Sequence, residues 1–417
     1  MLQKVKHGVG SLWPALRSRN YRLYFIGQGV SLIGTLMAST AQQWLVYPIL
    51  TRNQSMLGIM NAINSIPTMI LLLYAGVIAD RIDRRSGMLV QQLLYAIIAF
   101  LLFSLVVTGT IQLWHVMVAT FLSGAIFAFD MTTRQAFMIE LVNKDAIASA
   151  ISLNTGIFSL GRVIGPVVAG MVIASMGIAP AFLVNGVSFL AVIGGILLIS
   201  LPPFHTLSKT KSLRKELMGG VEYVRKKPYV RMSLLMLFIL SVCTAPLFTL
   251  LPVFAHDVFR VGEVGFGVLS GAIGLGAVVG SFGFSPIYAR LREHREFTIL
   301  LFILVTVSLT GFAVSPSYPA ALTLLVFGGF GSASLMSLVR TVIHEQVPSM
   351  FRGRLVSFYS LALIGGTPIG ALLASVGVAT IGARLTVFIS AVLFGLISLR
   401  LTAVSKGMFQ EKLARMV

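Results

Sequence analysis

The chain is a succession of apolar runs, each about as long as a bilayer is thick. Short connections between them carry most of the charge. Twelve runs can be drawn, at 22–50, 55–80, 88–108, 112–131, 147–174, 180–201, 231–256, 263–289, 297–315, 318–341, 354–380 and 384–404. A span needs roughly 20 apolar residues. Inside hydrocarbon each backbone N–H and C=O must be paired within the segment, so each run is confined to an α-helix. The composition agrees, with 56% hydrophobic and 11% charged residues and a mean hydropathy of +0.92. A soluble domain carries about a quarter charged residues, so a soluble enzyme is excluded. The expected class is an all-α membrane protein with twelve transmembrane helices.

The formal net charge is +19. In a soluble chain this would point to nucleic acid. Here the basic residues follow topology, because cytoplasmic loops collect Lys and Arg and lie beside anionic lipid. If the even-to-odd loops and both termini are placed inside, they hold 28 of the 32 Lys and Arg. Arg52, Arg260 and Arg384 fall outside, and Arg162 falls within a span. Both termini are therefore expected in the cytoplasm, with membrane lipid as a partner and no nucleic acid. The longest polar segment, 202–230, divides the runs six and six. Leu213, Leu217, Val221 and Val224 recur there at helical spacing among basic residues, as in an amphipathic helix on the inner face. The expected organisation is an amphipathic amino-terminal segment (1–21), a six-helix bundle (22–201), the linker (202–230), a second six-helix bundle (231–404) and a tail (405–417). Residues 1–22 lack the form of a cleaved signal peptide.

Reactive chemistry is not expected. Cys243 is the one cysteine and lies in an apolar run, which excludes an intrachain disulfide or a cysteine metal cluster. His344-Glu345 begins a zincin-like pattern, but no second histidine follows at the required spacing. There is no G-x-x-x-x-G-K-[ST] stretch and no G-x-S-x-G. No catalytic residue, metal or cofactor is expected.

Two stretches carry more specific information. The first closes the second run as Gly76-Val77-Ile78-Ala79-Asp80-Arg81-Ile82-Asp83-Arg84-Arg85, the pattern G-x-x-x-D-R-x-x-R-R. A carboxylate at the membrane edge is costly unless paired. A charge cluster whose partners change can latch one state of a two-state protein, although a basic loop that merely sets topology fits the same charges. The second is Gly161-Arg162-Val163-Ile164-Gly165-Pro166-Val167-Val168-Ala169-Gly170 in the fifth run. Pro166 interrupts the helical hydrogen bonds, and the glycines permit close helix packing.

The first stretch resembles the signature cytoplasmic loop of the major facilitator superfamily and lies at the corresponding place, with Asp83 where glycine is usual. The resemblance implies a gating role for Gly76, Asp80, Arg81 and Arg84, joined by Asp130 at the inner end of the fourth run. The second stretch resembles the antiporter signature of drug exporters in that superfamily, through Gly161, Gly165, Pro166 and Gly170. Ala169 replaces a glycine, and small-residue packing explains the same pattern. Arg134-Gln135-Ala136-Phe137 before Glu140-Leu141-Val142, and Phe351-Arg352-Gly353-Arg354-Leu355 before Tyr359-Ser360-Leu361, resemble macrolide-efflux-like and enterobactin-exporter-like members. The basic linker before Tyr223 and Pro228 does so too. The resemblance covers nearly the whole chain.

Helical spacing groups the polar residues inside the runs. Gln28, Ser31, Thr35, Ser39 and Gln42 form one stripe, Ser152, Thr155, Ser159 and Arg162 another, and Asn61, Asn64 and Thr68 a third. These stripes line a cavity or bond to neighbouring helices. Gln28, Thr35, Gln42, Asn61, Asn64 and Arg162 are the candidate cavity residues. A guanidinium at mid-span costs several kcal/mol unless satisfied, about 2.5–3.5 on the insertion scale. Arg162 therefore steadies the bent helix, attracts an anionic group, or serves as an internal counter-charge. All thirteen acids can be placed at run ends, which counts against a purely cationic cargo. The expected function is export of a small amphipathic molecule, a drug or siderophore, by alternating access and proton coupling in the bacterial cytoplasmic membrane. The alternative is a lysophospholipid or other metabolite transporter or flippase.

Overall fold

The computed structural model describes residues 13–79, 82–200, 221–283, 295–347 and 349–404. The long helices, numbered in chain order, are α1 (Arg19–Trp44), α2 (Ser55–Ala79), α3 (Arg84–Val107), α4 (Leu113–Glu140), α5 (Ile147–Met176) and α6 (Ala179–Leu197). They continue as α7 (Pro228–Val253), α8 (Gly262–Val278), α9 (Arg295–Val314) and α10 (Tyr318–Gln346). The last helical run, Ser349–Val404, breaks at Gly382, whose φ of 82° is left-handed. It therefore forms α11 (349–381) and α12 (383–404). Eleven described runs are long and apolar enough to cross a membrane, and the break at Gly382 turns the last into two, matching the expected twelve.

Local sequence explains where these helices begin. The Ser18 hydroxyl accepts from the Tyr21 N–H to cap α1, and Ser317 caps α10 in the same way. Pro228 opens α7, a position where its missing N–H costs nothing. Several boundaries differ from expectation and move charged residues into helices, among them those of α1 and α4. α1 starts at Arg19, so Arg19 and Arg22 belong to the first long helix; among the described residues it is preceded by one short helical turn, Trp13–Leu16, and residues 1–12 of the expected amphipathic segment lie outside the described residues. α4 runs on to Glu140, well beyond the expected end at 131. Of the linker, residues 221–230 are described, helical except at Lys227; residues 202–220, with Leu213 and Leu217 of the expected amphipathic helix, lie outside the described residues.

The described residues form two compact units. One holds the chain up to Arg52, the part from Ile66 to 200, and Val261–Gly271. The other holds Asn53–Ser65, the part from 221 to Arg260, and the chain from Ala272 onward. Each unit thus borrows half a helix from outside its own six-helix stretch.

The units share a plan. In the first, Gly161 and Gly165 of α5 seat against Leu32 and Leu36 of α1, where a methyl on Gly165 would lie 2.7 Å from Leu36 Cβ. In the second, Gly366 and Gly370 of α11 meet α7, and a methyl on Gly370 would lie 2.2 Å from the Val242 carbonyl oxygen. α1 ends in a π-helical segment, Leu45–Thr51, followed by Arg52 at φ 49°. α7 ends in the π-helical segment Phe254–Val258, with Arg260 at φ 55° two residues on. α5 ends at Gly177 and α11 at Gly382, both at φ 82°. A non-glycine residue at positive φ is uncommon. Two arginines in that state at equivalent places mark an internal repeat, as many transporters carry.

Candidate transport site and inner charge cluster

The first unit is knitted together where α1 and α5 begin and α4 ends. Tyr21, Tyr24, Met88, Phe137 and Ile196 are buried together. The Ser18 hydroxyl donates to the Leu141 carbonyl at 2.8 Å, and Tyr21 Oη to the Ala150 carbonyl at 3.0 Å. These bonds tie the start of α1 to the end of α4 and the start of α5.

The charged stretch between α2 and α3 meets this base. Gly76 lies near the end of α2; Asp80 and Arg81 lie outside the described residues. Arg84, in the first turn of α3, forms an ion pair with Glu140 at the end of α4. Arg85 Nη2 donates to the Leu197 carbonyl at 2.9 Å, placing a cation on the negative end of α6. Asp83 has the N-cap role for α3, its carboxylate accepting from the Arg85 and Ser86 N–H groups and from the Ser86 hydroxyl. Burial pushes the Asp83 carboxyl up. The Ser86 and Arg85 hydrogen bonds and the Arg85 charge outweigh that and hold it below the ordinary aspartate range. The two adjacent arginines thus reach different helices, and the acid that replaces a glycine caps the helix that carries them.

Asp130 is not at a helix end. Because α4 extends to Glu140, Asp130 lies ten residues inside it and is 2% exposed. It pairs with Arg134 one turn on and accepts from Gln92 Nε2 of α3 at 3.3 Å. Gln91 Nε2 donates to Thr133 at 3.2 Å beside it. Among the described residues, Tyr24 Oη, Gln28 Oε1, Gln91 Oε1, Gln92 Oε1 and Arg134 Nε are buried without a hydrogen-bond partner. The expectation that every acid lies at a run end is corrected here. Periodicity placed the end of the apolar run, but the helix continued as a polar, bundle-buried turn. Among the described residues, Arg84 pairs with Glu140 and Asp130 with Arg134.

The glycine stretch of α5 is a two-sided seam. Gly161 and Gly165 face α1, while a methyl on Gly170 would lie 2.5 Å from the Glu263 carbonyl oxygen at the start of α8. Gly267 answers from α8, where a methyl would lie 2.4 Å from the Pro166 carbonyl oxygen. Within this unit the stretch packs closely against α1 on one side and α8 on the other.

The polar stripes divide. Gln28 and Ser31 of α1 are buried. Gln42 donates to Thr120 of α4, and Thr35 to Asn185 Oδ1 of α6 at 3.3 Å. Much of this stripe therefore serves helix–helix bonding. In the second unit Asn61 Nδ2 donates to Thr249 of α7 at 3.2 Å, and Asn64 is partly buried. Arg162 sits midway along the 30-residue α5 and is exposed. Sequence reasoning missed the partners Glu140, Gln92 and Asn185, which no local spacing reveals. The signal for the Asp83 cap was an Asp shortly ahead of the third apolar run, a residue type that favours the N-cap.

Comparison with known proteins agrees with this architecture. The multidrug efflux pump Tap of Mycolicibacterium fortuitum is 24% identical over 359 residues, covering 84% of this chain and 85% of that protein. The enterobactin exporter EntS of Escherichia coli O1:K1 / APEC is 23% identical over 358 residues, covering 85% and 84%. The structure of a bacterial homolog to the human lysosomal transporter Spinster, inward-facing and unoccupied, superposes with a TM-score of 0.76 at 12% identity, covering 94% of this chain and 98% of that one. That likeness shows the fold. The family described as transmembrane secretion effector matches residues 10–412. This chain belongs to that family of the major facilitator superfamily, and is a multi-pass membrane transporter rather than an enzyme.

Proposed function

We propose that the protein exports a small amphipathic molecule, a drug or siderophore, across the bacterial cytoplasmic membrane by alternating access coupled to protons. Both termini are cytoplasmic in this reading. The observation that carries it is the match to transmembrane secretion effectors across residues 10–412, supported by the relatives named an efflux pump and an enterobactin exporter. Gln28, Thr35, Gln42, Asn61, Asn64 and Arg162 are assigned to the cargo path. Gly76, Asp80, Arg81 and Arg84 form the inner latch, with Glu140 as the partner of Arg84. Asp130 is assigned to proton coupling, as a buried carboxylate with hydrogen-bond partners on α3 and α4. Gly161, Gly165, Pro166 and Gly170 keep α5 close to its neighbours.

Flux tests this reading. Inside-out proteoliposomes with an acid interior are offered a cationic dye, a catecholate siderophore or a lysophospholipid. Uptake of dye or siderophore that collapses with the pH gradient is expected. Movement of lysophospholipid alone would replace export of soluble cargo with lipid transport, and uptake indifferent to the gradient would remove proton coupling.

A further inference from the structure

We infer that a groove between α3 and α4 holds a phosphatidylethanolamine molecule of the surrounding bilayer, with Asp83 receiving the primary ammonium of its headgroup. None of the candidate cargo residues lines this groove, and the site does not depend on the export reading.

The groove measures about 370 Å³. Val90 and Leu94 of α3, with Ile126 and Phe129 of α4, form its apolar walls. α3 packs against α4 and α6, yet Val90 and Leu94 are 56% and 43% exposed. The exposed residues that continue along this side of α3, Leu93, Ile97 and Leu101, are all apolar, as on a face that meets hydrocarbon. From Ser86 to Leu94 the groove follows α3 for about 12 Å, room for part of an acyl chain. Lipid tails elsewhere in the bilayer are as apolar as these walls, so the walls give shape without preference. Preference among lipids belongs to the polar end.

Asp83 and Ser86 line that end, at the start of α3. Among the described residues of the lining, Asp83 is the charged one. Arg84 and Arg85 turn to other helices, through Glu140 and the Leu197 carbonyl. The complement is therefore a cation. In its cap role the Asp83 carboxylate accepts from the Arg85 N–H on Oδ1 at 3.4 Å, and from the Ser86 N–H and hydroxyl on Oδ2. A carboxylate has about four acceptor positions, so Oδ1 keeps one for a further donor. A primary ammonium brings both the charge and the N–H; a choline headgroup brings the charge alone. Gln91 adds a second polar point, about 7.5 Å further along the axis than Ser86. It lines the groove, is 6% exposed and donates to Thr133, while its Oε1 has no partner. Turned over, the same amide accepts from the Thr133 hydroxyl and offers an N–H where Oε1 stood. An ester carbonyl, which follows the headgroup in a phospholipid, satisfies it. Asp83 stands where the superfamily loop usually has glycine, so this selectivity belongs to this chain and not to the shared motif.

Photo-crosslinking tests this on the full-length chain in phosphatidylcholine vesicles. Two probes carry the same diazirine-bearing acyl chain, one under an ethanolamine and one under a choline headgroup. Peptide mapping reads adducts on residues 82–94 and 126–129, relative to those at exposed Leu393 and Leu396 of α12. The ethanolamine probe is expected to label the groove about fivefold or more over the choline probe, within what one charge-assisted hydrogen bond gives. Asp83→Asn keeps a capping side chain and removes the charge, and should remove most of that preference. Gly87→Leu should lower groove labelling by both probes. A methyl on Gly87 first meets Ile82 Cδ1, the tip of a flexible side chain, at 3.1 Å, so the helix can accept the change. Equal labelling by the two probes in the wild type, an undiminished preference in Asp83→Asn, or undiminished labelling in Gly87→Leu would each overturn the assignment. Competition on the wild type decides the matter should a variant fail to fold. Unlabelled phosphatidylethanolamine should displace the ethanolamine probe from the groove, and phosphatidylglycerol should not. Displacement by phosphatidylglycerol to the same degree would overturn recognition of an ammonium.

Discussion

Asp83 and Asp130 are both aspartates in the first unit, and their surroundings give them different work. Asp83 accepts hydrogen bonds at the start of α3 and is held below the ordinary aspartate range. A carboxyl depressed in the fold contributes stability that is present above its unfolded pKa and lost as pH falls through its folded one. Asp83→Ala should therefore cost about 1 kcal/mol at pH 7, as helix caps do. The difference from wild type should vanish once pH falls below the ordinary aspartate range, read as paired thermal melts in detergent. A gap that persists in acid would assign the cost to something other than the charged cap. Asp130 is buried against Arg134. Removing one member of a buried pair leaves an uncompensated charge, costing about 3–5 kcal/mol. Asp130→Asn should lower the melting temperature markedly, and Asp130→Asn with Arg134→Gln should recover much of the loss. Equal instability of the single and double variants would show that the pair is not what matters there.

At the scale of elements, the organising device is the small-residue seam, used twice. α5 closes on α1 and the start of α8 through Gly161, Gly165 and Gly170, and α11 closes on α7 through Gly366 and Gly370. Little hydrophobic drive exists between helices in lipid, so close backbone approach is what holds them. The start of α3 uses charge instead, joined to the end of α4 by Arg84 and Glu140. If that pair is a latch, Arg84→Ala should slow gradient-driven uptake several-fold while leaving cargo affinity nearly intact. Exchanging the charges, with Arg84→Glu and Glu140→Arg, should restore part of the rate. Lost binding with unaltered turnover would turn the pair into a support of the cargo path.

For the whole molecule, the distribution of basic residues fixes the expected orientation. Both termini and the 202–230 linker belong inside, while the ends of α1 and α7, with Arg52 and Arg260 at positive φ, belong outside. On a Cys243→Ser background, cysteines placed at Arg52 and Arg260 should react with an impermeant maleimide added to intact cells. A cysteine at Lys209 should react only after the membrane is opened. The opposite labelling pattern would invert the topology and with it the direction of export.

The number, order and approximate limits of the spans were legible in the sequence because each segment must satisfy its own backbone in lipid. Charge in the connections sets an expected orientation, because basic residues resist translocation. The repeat was partly visible in loop charges, and the π-helical ends with Arg52 and Arg260 gave it a backbone form. Partners were not legible. Arg84 and Glu140 are 56 residues apart, and an apolar run does not disclose that α4 continues to Glu140 with Asp130 inside it. Polar spacing alone also could not tell a buried stripe from an exposed one. The α1 stripe turned largely to its neighbours, whereas the α5 stripe kept Arg162 exposed. A period of 3.6 fixes which residues share a face. Only the packing of other helices decides whether that face meets protein, lipid or water.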